Sequence, residues 1–246
     1  VRLVGSEMCI RDRGARGHEV EYYAGLGISL SAISAALLSP VWGSLADRYG
    51  RKPMMIRAAT AMVFTMGGIA FVPNIFWLLL LRFLNGVFAG YVPNSTALIA
   101  SQAPKEKTGY ALGTLSTGVV AGNLMGPFIG GLIAEMFGIR NVFLLIGGFF
   151  LMAALMTFYL IREDFVPVTR QEEVGFRELL RQLRYPKMLI NLFLTSFVIQ
   201  FAAQSISPIL ALYVRELGQK DNLIFVSGLI VSSMGLSSMM LSLIHI

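Results

Sequence analysis

Apolar residues along this chain gather in runs long enough to cross a bilayer, and the charged residues fall mostly between the runs. A spanning helix takes about 20 mostly apolar residues. Seven runs reach that length, at 22–45, 54–73, 75–100, 109–137, 142–161, 188–214 and 223–241. The pattern predicts an all-α, multi-pass membrane protein. Composition agrees, with 55% hydrophobic and 14% charged residues, against about 25% charged in a soluble domain.

The runs divide the chain into a head at 1–16, a first helical bundle over 17–161, a hydrophilic linker at 162–187, the start of a second bundle at 188–241 and a tail at 242–246. The linker holds eleven charges in 26 positions. Within it, Val174, Phe176, Leu179, Leu180 and Leu183 could form one apolar face, which predicts an amphipathic helix at the membrane surface.

The net charge of +6 would suit a nucleic-acid partner, but its placement does not. The loops at 46–57, 101–108 and 162–187 hold twelve of the 20 Lys and Arg, and the alternate loops hold three: Arg140, Arg215 and Lys220. Basic residues stay on the cytoplasmic side. The loop around Asp47 is therefore cytoplasmic, and basicity reports topology, with no nucleic acid implied. The chain has one cysteine and two histidines, so neither an internal disulfide nor a Cys/His metal cluster is available. No cofactor is implied.

The runs differ in polarity. The third carries Arg82, Asn85 and Asn94, with Pro93 as the expected kink, and the sixth carries Asn191, Gln200 and Gln204. Polar groups inside a membrane face a bundle interior or a watery cavity. Asn85, Asn94, Gln200 and Gln204 are therefore candidates to line a substrate passage; hydrogen bonding between helices is the alternative for each. The second and fifth runs are nearly free of such groups, which suits helices facing lipid. Arg82 must either serve a function at depth or extend toward the outer surface.

Three motifs carry chemistry. Gly43, Asp47, Arg48, Gly50, Arg51 and Lys52 concentrate glycine and charge in the short loop between the first two runs. Asp47 could accept backbone N–H groups at the start of the next helix, where the dipole favours an anion, and Gly43 would let its helix pack closely. Arg82 with Gly86 forms the second motif. The third is Gly118, Gly122, Gly126, Pro127, Gly130 and Gly131, where a spacing of four lays glycines along one stripe, a flat seat for a partner helix. Pro127 lacks an N–H, so the Asn123 carbonyl loses its helical bond and a kink is expected.

The loop resembles the cytoplasmic motif between the second and third helices of the major facilitator superfamily, where it latches one conformation. The third motif resembles the fifth-helix signature of the drug:proton antiporters in that superfamily. The segments Pro93–Ala100, Ala111–Gly118 and Pro208–Leu217 look like bacterial multidrug resistance members, and the likeness covers residues 17–241. It implies a twelve-helix antiporter of the bacterial inner membrane that exchanges amphiphilic drugs for protons, confers antibiotic resistance and works as a monomer among membrane lipid. It also implies a proton-coupling role for Arg82. On that reading the seven runs are helices 2–8 of the parent, and the chain alone is not expected to transport. Ser6–Arg13 and Leu241–Ile246 resemble translated sequencing-adapter sequence and are set aside, with Cys9 and His245.

Proton antiport needs a titrating group in the membrane. Among the acids only Glu135 falls inside a span, near its outer end beside Arg140. The coupling acid lies either in helices beyond this chain, or Arg82 works through a bound carboxylate or water. Enzymatic readings fail: no pair of Asp lies within spans for an aspartyl protease, and no His for a serine protease. A sugar or metabolite symporter and a non-transporting scaffold are the remaining alternatives. The glycine stripe argues against the first, the buried polar residues against the second.

Overall fold

In a computed structural model of the chain, residues 18–163, 165, 190–202, 230 and 233 are described. Their regular structure is helical, with no strand among the described residues. The helices are α1 (His18–Tyr49), α2 (Arg51–Ile69), α3 (Ile75–Val87), α4 (Tyr91–Gln102), α5 (Thr108–Phe137), α6 (Ile139–Leu160) and α7 (Ile190–Ala202). Four stretches among the described residues are long and apolar enough to cross a membrane: Gly25–Tyr49, Ile75–Gln102, Thr108–Phe137 and Arg140–Leu160. The less apolar α2 carries Arg51, Lys52 and Arg57 in its first two turns, yet its 19 residues reach about 28 Å. The head, most of the linker, the tail and most of the last two runs lie outside the described residues.

The third run is two helices. α3 ends at Val87 and α4 begins at Tyr91, so the break falls at Phe88–Gly90, upstream of the expected kink at Pro93. The cause is still Pro93. It has no N–H for the carbonyl four residues back, that of Ala89, and its ring crowds the same group. Gly90, at φ +132°, supplies the backbone conformation that L side chains rarely adopt. α5, by contrast, runs unbroken through Pro127.

α2 corrects the expectation that the second run faces lipid. Met54, Met55, Ala58, Ala59, Thr65, Met66 and Ile69 are buried, because α1, α3, α4 and α6 all pack against this helix. Lack of polar side chains could not separate the two environments, since lipid tails and a helix interface are equally apolar. At one end, Met66, Ile69, Ala70, Val72, Leu78 and Phe143 form a buried cluster that ties the α2–α3 turn to α6. Asn74 caps α3, its side chain accepting the Trp77 N–H at 3.2 Å.

The α2–α6 contact is close because of glycine. A Cβ at Gly147 would sit 3.3 Å from the Gly67 Cα and 3.5 Å from the Val63 carbonyl oxygen, whereas a Cβ at the adjacent Gly148 would meet nothing within 4 Å. Backbone cannot swing aside as a side chain can. We expect Gly147→Ala to lower the thermal midpoint of the detergent-solubilised chain and Gly148→Ala to leave it unchanged. Overpacking of this kind costs about 1–3 kcal/mol. Equal midpoints for the two variants would refute the close contact.

Candidate functional site

The loop between α1 and α2 is held by an acid that sequence reasoning did not assign to it. α1 ends at Tyr49, Gly50 turns the chain at φ +96° and ψ 160°, and α2 starts at Arg51. The Glu163 carboxylate, just beyond the end of α6, accepts the backbone N–H groups of Arg51 and Lys52, both at 2.7 Å. The first N–H groups of a helix have no partner of their own, and the positive end of the dipole favours a carboxylate there. Glu163 therefore occupies the position expected for Asp47. Asp47 faces Arg51 instead, with its Oδ1 2.6 Å from Nη2 in a partly exposed i,i+4 pair. The geometric reason is direction: Asp47 lies within the last turn of α1, ahead of Gly50, and does not reach back to the α2 terminus. Lys52 reaches across to α6, its Nζ 5.7 Å from the centre of the Phe158 ring. Arg48 is exposed. Gly43 has open space around a built Cβ among the described residues, so the close packing expected there is not observed.

The second element is the seam between α1 and α3. Arg82 is 7% exposed and lies against Gly27, where a built Cβ would stand 3.7 Å from the Arg82 Cγ. Ser31 Oγ is 2.7 Å from the Arg82 carbonyl oxygen and 3.0 Å from that of Gly27. Ser34 Oγ is 3.1 Å from the carbonyl oxygens of both Phe83 and Ser31. Each hydroxyl thus shares its proton between its own helix and the neighbour. Gly86 is pressed directly onto this seam: a built Cβ would overlap Ser34 Oγ and the Ser31 carbonyl. Its role in the structure is the close approach of α1 and α3.

The lining candidates do not form one wall among the described residues. Asn85 Nδ2 donates to Thr65 Oγ1 of α2 at 3.2 Å. Asn94 is 7% exposed, and its Nδ2 donates back to the Gly90 carbonyl at 2.8 Å, which steadies the start of α4. Gln200 is exposed on α7, and Gln204 lies outside the described residues. In the glycine motif, built Cβ atoms at Gly118, Gly122 and Gly126 meet nothing within 4 Å, while Gly131 is buried. The stripe is present, but no helix among the described residues is seated on those three positions. Gly130 and Pro127 belong to the same continuous helix. Glu135 is exposed. No cluster of three potential metal ligands occurs among the described residues.

Arg57 is a third element, and its surroundings were not legible as a site. Its guanidinium lies 3.4 Å from the centre of the Trp42 ring and 6.0 Å from that of Phe88. Its Nη2 approaches the carbonyl oxygens of Phe88 and Ala89 at 3.5 and 3.4 Å. The Ala89 oxygen is the one Pro93 leaves without a helical donor. Trp42 Nε1 donates to the Val87 carbonyl at 2.7 Å. The break between α3 and α4 is thus closed over by residues of α1 and α2. The signal available beforehand was the presence of a tryptophan near the cytoplasmic end of one run and an arginine just inside the next.

A helical bundle with several apolar helices of spanning length, and an arginine buried between its first and third helices, is the framework of a multi-pass membrane protein. Residues 14–245 match the Major Facilitator Superfamily, and the chain belongs to that superfamily. It is 69% identical over 231 residues to the multi-drug resistance efflux pump PmrA of Streptococcus pneumoniae serotype 4, covering 94% of this chain and 58% of that protein. It is 50% identical over 234 residues to the PmrA homolog of Lactococcus lactis, covering 95% and 58%. Multidrug resistance protein MdtG of a Rahnella species is 46% identical over 229 residues, covering 92% and 56%. The chain therefore spans less than two thirds of the length of these relatives. Superfamily membership makes it a multi-pass membrane protein and not an enzyme.

Proposed function

We propose that residues 17–161 form the first bundle, and 188–241 the start of the second, of an exporter that trades small amphiphilic compounds for protons across the bacterial inner membrane. The observation that carries the reading is Arg82. A cation at membrane depth costs about 2.5–3.5 kcal/mol on insertion scales, and Arg82 is 7% exposed on a helix whose backbone is held against α1 through Ser31, Ser34 and Gly86. A cation kept buried at that cost fits a proton-coupling role. The names of the relatives support a drug-like cargo. The Asp47–Arg51 pair and the Glu163 cap then form the cytoplasmic latch, tying the α1–α2 loop to the end of α6.

The test is a chimera in which residues 17–241 replace their counterparts in the pneumococcal relative, expressed in cells lacking other pumps. We expect ethidium export that collapses on addition of a protonophore. Arg82→Ala should lower the initial export rate at least about tenfold at equal membrane levels, with Arg82→Lys intermediate. Export that persists without a proton gradient would refute antiport. Uptake in place of export would favour the symporter reading.

A further inference from the structure

A groove of about 520 Å³ runs between α2 and α3, with Arg57 at one end and Thr60, Ala61, Phe64, Leu81 and Leu84 along it. We propose that it binds an anionic phospholipid of the cytoplasmic leaflet, the acyl chain lying in the groove and the phosphate meeting Arg57.

Four observations support this occupant. The groove lies on the outside of α2. At about 100° per residue, Arg57, Ala61 and Phe64 fall on the face opposite the buried Met55, Ala59 and Met66, and Phe64 is 72% exposed. The lining is apolar apart from Arg57, Thr60 and Thr65, which suits a hydrocarbon chain. The charge is at the right depth. Arg57 lies six residues beyond the start of α2, roughly 9 Å along the helix, near the boundary between headgroups and acyl chains. The cytoplasmic side follows from the distribution of bases.

The fourth observation is the unfinished coordination of Arg57. Its Nε and Nη1 are buried with no hydrogen-bond partner, and no carboxylate pairs with it among the described residues. Its two Nη2 contacts, at 3.4 and 3.5 Å, are long for hydrogen bonds. A guanidinium leaves such contacts at little cost. A phosphate offers it the bidentate partner its planar fork matches, while Trp42 continues to hold one face. Basic pockets between helices on the cytoplasmic side suit anionic headgroups. A zwitterionic lipid brings an amine near the same cation, and that favours phosphatidylglycerol over phosphatidylethanolamine.

The test is native mass spectrometry of the full 246-residue chain released from detergent, titrated with phosphatidylglycerol or phosphatidylethanolamine of equal chain length. We expect phosphatidylglycerol to be retained at least about tenfold more tightly. Arg57→Gln should reduce it to the level of phosphatidylethanolamine. Ala61→Phe, which fills the groove and leaves the cation in place, should weaken both lipids. Lys107→Gln, which removes an exposed cation on the same side of the membrane, should change nothing. Equal retention of the two lipids by the unmodified chain would overturn the proposal without any variant. So would full retention by Ala61→Phe, or an equal loss with Lys107→Gln, which would indicate general surface charge.

Discussion

Gly86→Ala will separate α1 from α3 and destabilise the chain. The added carbon would overlap Ser34 Oγ and the Ser31 carbonyl oxygen. One is a hydroxyl already committed to the Phe83 carbonyl, and the other is backbone, so neither yields cheaply. Relief requires the helices to move apart. That movement loses the hydroxyl contacts from Ser31 to Arg82 and from Ser34 to Phe83 and loosens the cover over Arg82. Overpacking costs about 1–3 kcal/mol, and each lost hydrogen bond adds about 1 kcal/mol. The total should reach about 3 kcal/mol or more. Thermal unfolding in detergent, followed by loss of the monodisperse peak in size-exclusion chromatography, measures it. Gly25→Ala, on α1 with open space around the added carbon, is the control. A Gly86→Ala midpoint matching that control would sink the reading.

The second large effect lies at Gly50. Its φ of +96° with ψ 160° is a conformation essentially confined to glycine, and holding another residue there costs about 1–3 kcal/mol. A Cβ would also stand 2.9 Å from Glu163 Oε2, displacing the carboxylate from the Arg51 and Lys52 N–H groups. Gly50→Ala should therefore release the loop from the end of α6. Glu163→Ala should do so too, losing hydrogen bonds to a charged acceptor worth about 1.5–3 kcal/mol each at most, less where water replaces them. The two substitutions share one contact, so their effects should not add: in the Glu163→Ala background, Gly50→Ala should cost only its backbone strain. Strict additivity of the midpoints would show that the residues act independently.

Much of the helical layout was legible in the runs. The membrane imposes a length of apolar sequence that acts locally, so α1, α5 and α6 follow the first, fourth and fifth runs closely. The gap between the second and third runs fell at the Asn74 turn, where α3 starts. The broken third run was only half legible. Pro93 announced a disturbance, but its position depended on which carbonyl the ring disturbs and on Gly90 absorbing the turn.

The site was less legible, for a physical reason. Glu163 and Arg51 are 112 positions apart, and nothing local distinguishes Glu163 from the other acids of the linker. Asp47 was the nearer candidate for the α2 terminus, yet reach across the fold decided the outcome. Arg57 looked like one more base of the cytoplasmic flank until Trp42 and the freed Ala89 carbonyl were brought against it. Sequence alone determined that the chain is an all-helical, multi-pass member of its superfamily, and where glycine, proline and arginine are concentrated. Only the tertiary structure decided which acid anchors the loop, which helix is buried and what Arg57 packs against. Span length and charge bias are properties of single segments; caps, seams and clamps exist only when distant segments meet.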